Sequence, residues 1–255
     1  AGDTQTGAGS TLSLGRANQI PNGAGTGNVV NAGTLKLNGF SETINGLSGA
    51  GTVDGVSGTP TLTLGDNNAT GNTFSGVIKN TVGTLGLTKI GTGTQTLSGA
   101  NTYTGATTIS AGTLQVDGSL AAGSTVGVGT AGTLSGSGTI NGNVTLTGAG
   151  IINLTNPGII GGTLGVTGGN WNGAGSVTGL VTSSSGTFTI GSGANLTANG
   201  GLSVTGGSFG SGNSASTITG SVIYTSTSDS SFDGVIAGSG KTVTMNSARS
   251  EEHTS

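Results

Sequence analysis

The sequence predicts an all-β chain, wound as a right-handed parallel β-helix of about ten rungs of roughly 20–30 residues. Three observations lead there. Apolar and polar residues alternate over short stretches, as at Leu85/Leu87 and Leu114/Val116, and glycine ends each stretch within a few residues. Alternation of period two marks strands buried on one side, and no stretch has the 3.6-residue spacing of a helix. A Thr-Leu-x-aliphatic unit then returns along the chain with turns between its copies, the sequence signature of a solenoid. Finally, 56 of the 255 residues are glycine and 3% are aromatic. So few large side chains cannot fill a wide core, but they suffice for the narrow interior of a coil.

Taken in order, the unit appears at Thr11-Leu12-Ser13-Leu14, Thr34-Leu35-Lys36-Leu37, Thr61-Leu62-Thr63-Leu64, Thr84-Leu85-Gly86-Leu87, Thr113-Leu114-Gln115-Val116 and Thr163-Leu164-Gly165-Val166. The intervals are 23, 27, 23, 29 and 50 residues, and a degenerate copy at Thr133-Leu134-Ser135 divides the last. A second echo links Phe74-Ser75-Gly76-Val77-Ile78 to Phe232-Asp233-Gly234-Val235-Ile236. Beyond residue 140, Val144/Leu146, Ile152/Leu154, Phe188/Ile190, Leu202/Val204, Ile218 with Val222, and Val243/Met245 continue the alternation. These aliphatic residues are expected inside, with the β-branched Thr beside them facing water. Asn-Gly and Asp-Gly pairs at 38, 45, 54, 117, 141, 172, 199 and 233 are expected at left-handed corners between strands.

The stretch Gly83–Gly118 also resembles a known repeat. Leu87-Thr88-Lys89, Gly91-Thr92-Gly93-Thr94, Leu97-Ser98-Gly99, Asn101-Thr102-Tyr103-Thr104-Gly105, Thr107-Thr108-Ile109 and Ala111-Gly112-Thr113-Leu114 are similar to the autotransporter-associated β-strand repeat. Ala106 departs from it, standing where that repeat more often has a second glycine. The close match covers residues 71–118. The resemblance implies a passenger of a bacterial type V secreted protein, exported through a C-terminal outer-membrane barrel that this sequence does not contain. Such a passenger would be secreted or held at the cell surface. The fold expectation is one β-helix over residues 1–246. Residues 247–255, SARSEEHTS, carry no glycine and no alternation, and read as a disordered or non-native tail. A start at Ala1, with neither Met nor a signal peptide, reads as a mature product or an internal fragment.

Composition bounds the chemistry. The formal net charge is −3, and no basic stripe is present, which argues against nucleic acid and anionic membrane as partners. There is no Cys, so neither a disulfide framework nor a thiol nucleophile exists. No apolar run is long enough to span a bilayer as a helix. The single His, His253, lies in the tail and leaves no Ser/His/Asp triad for the coil. Among the acids only Asp229 and Asp233 are close in sequence, and they read as turn residues rather than as an acid–base pair. Asp66-Asn67-Asn68 lacks the acidic density of a Ca²⁺ roll and reads as a turn. Gly91-Thr92-Gly93 lacks the Lys and the following helix of a phosphate loop. Arg16, Lys36, Lys79, Lys89 and Lys241 are spread along the chain and read as solubilising surface charges.

Two aromatic residues are candidates for contact with a sugar ring, Trp171 and Tyr103, with a half-buried strand position as the alternative for each. No catalytic residue, metal ligand or cofactor is expected. The functional expectation is therefore a non-catalytic structural or adhesive passenger scaffold, partnered by copies of itself or by surface glycans. A pectinase-like carbohydrate-active β-helix is the alternative. An ice-binding solenoid is a minor one, because Thr-x-Thr at 61, 145, 187, 217 and 242 recurs at uneven spacing.

Overall fold

The structure is a computed structural model, and it describes residues 2–23, 25–211 and 213–245. The tail assigned to residues 247–255 lies outside them. Every regular element among the described residues is a β-strand of two to eleven residues, and every named strand pair is parallel. Alternation, frequent glycine and the scarcity of good helix formers give short extended pieces whose only partner is the same piece one turn away.

The chain winds through three faces in a fixed order. Thr4–Thr6, Thr11–Ser13 and the segment at 19–22 make the first turn; Val29–Asn31, Thr34–Lys36 and Glu42–Ile44 make the second. The first face continues through Leu47–Ser48, Asn72–Phe74, Thr94–Leu97 and onward to Ser208–Ser211, and ends at a bridge from Gly210 to Ser231. The third face runs unbroken from Glu42–Ile44 to Val243–Met245. The whole is a β-solenoid of about twelve turns.

Twelve replaces the expected ten, and the reason lies in the unit that was counted. The Thr-Leu copies do not stack on one another throughout. Those at 11 and 34 share the second face in register, whereas the copy at 61 lies on the third face and that at 113 on the first. Leu62 sits beside Leu87, not Leu85. Intervals of 27 and 29 residues therefore include a step from one face to the next. The paired residues Gln95, Leu114, Leu134 and Ile152 give the real turn, 18–20 residues in this part of the coil.

Another column marks each turn from the second to the seventh. Gly33, Gly51, Gly76, Gly99, Gly118 and Gly138 each close a two-residue corner, or its near equivalent, between the first and second faces. None of these has a left-handed backbone. They are glycine because the turns pack too closely for anything else. A Cβ on Gly99 would lie 1.9 Å from the Gly76 carbonyl oxygen, one on Gly118 2.1 Å from that of Gly99, and one on Gly138 2.1 Å from that of Gly118. The carbonyls so protected accept from the next turn, as Thr139 N–H does to Gly118 O at 2.9 Å. The same reason corrects the reading of the Asn-Gly and Asp-Gly pairs. Only Asn38-Gly39 is left-handed at both residues. Gly118, Gly142, Gly173 and Gly234 are there for close approach.

Inside, the alternation places one or two aliphatic side chains on most faces of most turns, and Leu35, Leu62, Leu114, Leu134, Ile152 and Leu164 are all fully buried. Each contributes about 1.5–3 kcal/mol. At the C-terminal end a column of rings forms, with Phe188 to Phe209 centroids 5.8 Å apart and Phe209 to Phe232 5.4 Å. Val243, expected inside, continues the inward row of Val222 but is exposed because no described turn lies beyond it. Val235, also expected inside, stands in register with the outward Thr217 and leaves the inward place to Ile236.

Candidate functional site

The outward rows consist mainly of hydroxyls, amides and glycine. On the third face Thr43, Thr63, Thr88 and Thr108 stand side by side in successive turns, until Gly127 interrupts the row. Thr147 and Thr167 lie two residues further along, and their hydroxyls donate to the Val128 and Leu146 carbonyls of the turn below. The five Thr-x-Thr units are scattered over all three faces and build no two-row lattice.

Charge is concentrated elsewhere. On the second face Lys36, Asp54 and Lys79 are adjacent in register, and Lys79 Nζ lies 3.2 Å from Asp54 Oδ2. Asp54 also accepts from Val56 N–H, Thr81 N–H and the Thr81 hydroxyl. Burial opposes its ionisation, but those donors prevail and hold its carboxyl below the usual range. Its role is to tie two corners together. Glu42 points inward, and its oxygens accept from the Gln19 and Ile20 amides of the first turn. Desolvation outweighs those bonds and raises its pKa.

Neither aromatic candidate presents a ring to solvent. Trp171 is completely buried between Ile152 and Ile190, and its indole N–H donates to the Gly173 and Asn195 carbonyls at 3.1 and 3.0 Å. Tyr103 is equally buried; its hydroxyl is 2.7 Å from Thr107 Oγ1, which is 2.9 Å from Ser124 Oγ. Desolvation pushes its pKa up to about 12. A sugar cannot stack on either, so both are corrected to core residues. Lys89 is a further correction. It is 1% exposed and occupies the inward row between Leu64 and Ile109, so it is no surface charge.

The remaining candidates are structural. Asp66 accepts from Gly23 N–H, the Asn67 side-chain amide donates to the Gly23 and Thr26 carbonyls, and Asn68, left-handed at φ 58°, accepts from Thr92 N–H. These are corner contacts. Asp229 and Asp233 are both exposed, on either side of a serine-rich corner, and Asp233 N–H donates to the Ser211 hydroxyl. Among the described residues no three His, Cys, Asp or Glu converge as metal ligands. A shallow, open depression of about 260 Å³ lies over the first corner of turns eight to ten, edged by Asn153, Asn156 and Asn172. Nothing titratable lines it.

What the sequence reading missed is internal. Lys89, Gln95 and Asn101 are all buried, on three successive faces, and none faces water. The alternation contained the signal, since Lys89 is two residues past Leu87 and Gln95 two before Leu97.

A family model matches this same segment. Residues 87–116 match the passenger-associated-transport-repeat. The chain carries a passenger repeat. The matched residues supply the end of the third-face strand of turn four, the whole of turn five and the first-face strand of turn six, so the repeat spans rather more than one winding. No curated protein and no solved structure matches the chain. The passenger repeat, together with the solenoid around it, suggests a passenger with a β-solenoid scaffold, and the repeat implies a secreted or cell-surface setting.

Proposed function

We propose that the chain is a non-catalytic passenger scaffold, working at or near the outer membrane as an adhesive or self-associating rod. The observation that supports this is where the polar groups go. The buried ionic and amide side chains Glu42, Asp54, Lys89, Gln95 and Asn101 are occupied in holding turns together. The outward rows offer repeated hydroxyls and amides, which suit many weak contacts along a length rather than one reacting centre. The partners such rows fit are neutral surface glycans or another copy of the chain. The test is to incubate the purified chain with a panel of plant and bacterial polysaccharides while following reducing ends and unsaturated products, and to measure retention on the same polysaccharides immobilised. Retention without turnover is the expected result. Turnover that disappears on substituting Asp229 or Asp233 would replace the scaffold by a carbohydrate-active enzyme.

A further inference from the structure

The strand ladders are interrupted in one region. On the first face the sheet begun by Thr4–Thr6 and Val29–Asn31 ends at Leu47–Ser48, and only a bridge from Gly49 to Phe74 carries it into turn four. On the second face the sheet ends at Val77–Lys79 and restarts at Ser119–Leu120, with residues 100–103 between them outside any strand. Backbone groups at such breaks need other partners, because an unpaired buried peptide group is costly.

Side chains of the passenger repeat supply them. Gln95 reaches past turn four to turn three: Leu47 N–H donates to its Oε1 at 2.9 Å, and its Nε2 donates to the Leu47 carbonyl at 2.8 Å. The amide thus replaces the strand that Leu47 lacks. Asn101 does the same on the second face, accepting from Ile78 N–H at 3.0 Å and donating to the Ser119 carbonyl at 3.2 Å. On the third face Lys89 donates to the carbonyls of Ile90, Gly91 and Ala111, the last beside the irregular step at Ile109/Ala111. These three residues follow one another at intervals of six, one per face.

We infer that residues 87–116 are a splice. Lys89, Gln95 and Asn101 join an N-terminal block of turns one to four to the regular turns that follow, and couple the two into one unfolding unit. This goes beyond the scaffold function and does not depend on it. Partly satisfied polar groups would be a weakness in a core, but fully satisfied ones specify a single register.

Native-state hydrogen exchange on the full chain tests the splice. In the wild type the Leu47 and Ile78 amides, whose acceptors are the Gln95 and Asn101 side chains, exchange as slowly as neighbouring strand amides. Exchange at the rate of exposed amides would end the proposal without any variant. In Gln95→Leu, the Leu47 amide exchanges at least tenfold faster, and turns one to three open at lower denaturant than turns six to eleven. Gln115→Leu, an outward position on the same face, leaves both blocks opening together. An unchanged Leu47 amide in Gln95→Leu, or equal loss of protection in both blocks, would overturn the inference.

Discussion

Leu134 and Ser135 are neighbours in one strand, the first fully buried and the second facing outward beside Gln115 and Asn153. Leu134→Asp puts an unpaired charge in the interior and is expected to destabilise by several kcal/mol, whereas Ser135→Asp stays within about 0.5 kcal/mol. Chemical denaturation of the pair checks it, and equal effects would mean the strand faces the other way. Lys89 and Tyr103 give the coil a pH dependence of definite sign. Burial lowers the Lys89 pKa to about 8, so the unfolded chain binds the extra proton above that, and stability rises with pH from about 8 towards 10.5. The strands packed on Lys89, Thr61–Leu64 and Thr107–Val116, carry no titratable group, and Asp66 at the adjoining corner is turned to Gly23. Tyr103 acts oppositely: its pKa of about 12 exceeds the ordinary 10, so its contribution is complete below pH 10 and is lost as pH climbs through 12. Denaturation midpoints should therefore rise and then fall. Lys89→Met should remove the rise and Tyr103→Phe the fall. The sequence showed the inward parity of Lys89 plainly, and its charge concealed it. Trp171 and Tyr103 were harder to place, because nearby glycines interrupt the alternation that would have told inside from outside.

At the scale of strands and corners, glycine explains what was legible and what was not. The aliphatic rows follow the alternation closely, because burial of one side of a strand leaves no other choice. The turn length did not follow from Thr-Leu, which suits any strand on any face. It was present in the column Gly33, Gly51, Gly76, Gly99, Gly118 and Gly138, with intervals of 18, 25, 23, 19 and 20 residues. Fifty-six glycines hide such a column, since glycine serves both for left-handed turns and for close approach. The two uses separate on substitution. Gly118→Ala drives a methyl group into the Gly99 carbonyl and is expected to cost several kcal/mol, enough to lower the melting temperature by many degrees. Gly127→Ala has nothing within 4 Å of the new carbon and should be neutral or slightly stabilising. A thermal melt of each decides between packing and flexibility as the reason for glycine here.

Over the whole molecule, twelve turns at a strand spacing of about 4.8 Å make a coil of roughly 50–55 Å. Small-angle scattering should give an elongated particle of that length, and circular dichroism a β spectrum with almost no helix. A random-coil scattering profile would remove the solenoid altogether. The proposed scaffold function also belongs to this scale, since a row of weak contacts gains strength only through its length. The fold was legible early because each turn repeats one simple pattern. Its partner was not, because hydroxyl and amide rows fit many surfaces.

The three edges of the coil differ in what evolution or an engineer could do with them. At the column glycines of the first edge there is no room for a side chain, so a loop grafted between Asp117 and Gly118 would have to push successive carbonyls apart. The edge between the third and first faces is open where turn three meets turn four: Thr70 and Gly71 are exposed, a Cβ on Gly71 would meet nothing within 4 Å, and this corner varies in length from turn to turn. A foreign peptide inserted between Thr70 and Gly71 would be displayed on a rigid post and leave the melting temperature nearly unchanged, while the same insert at Asp117 would prevent folding.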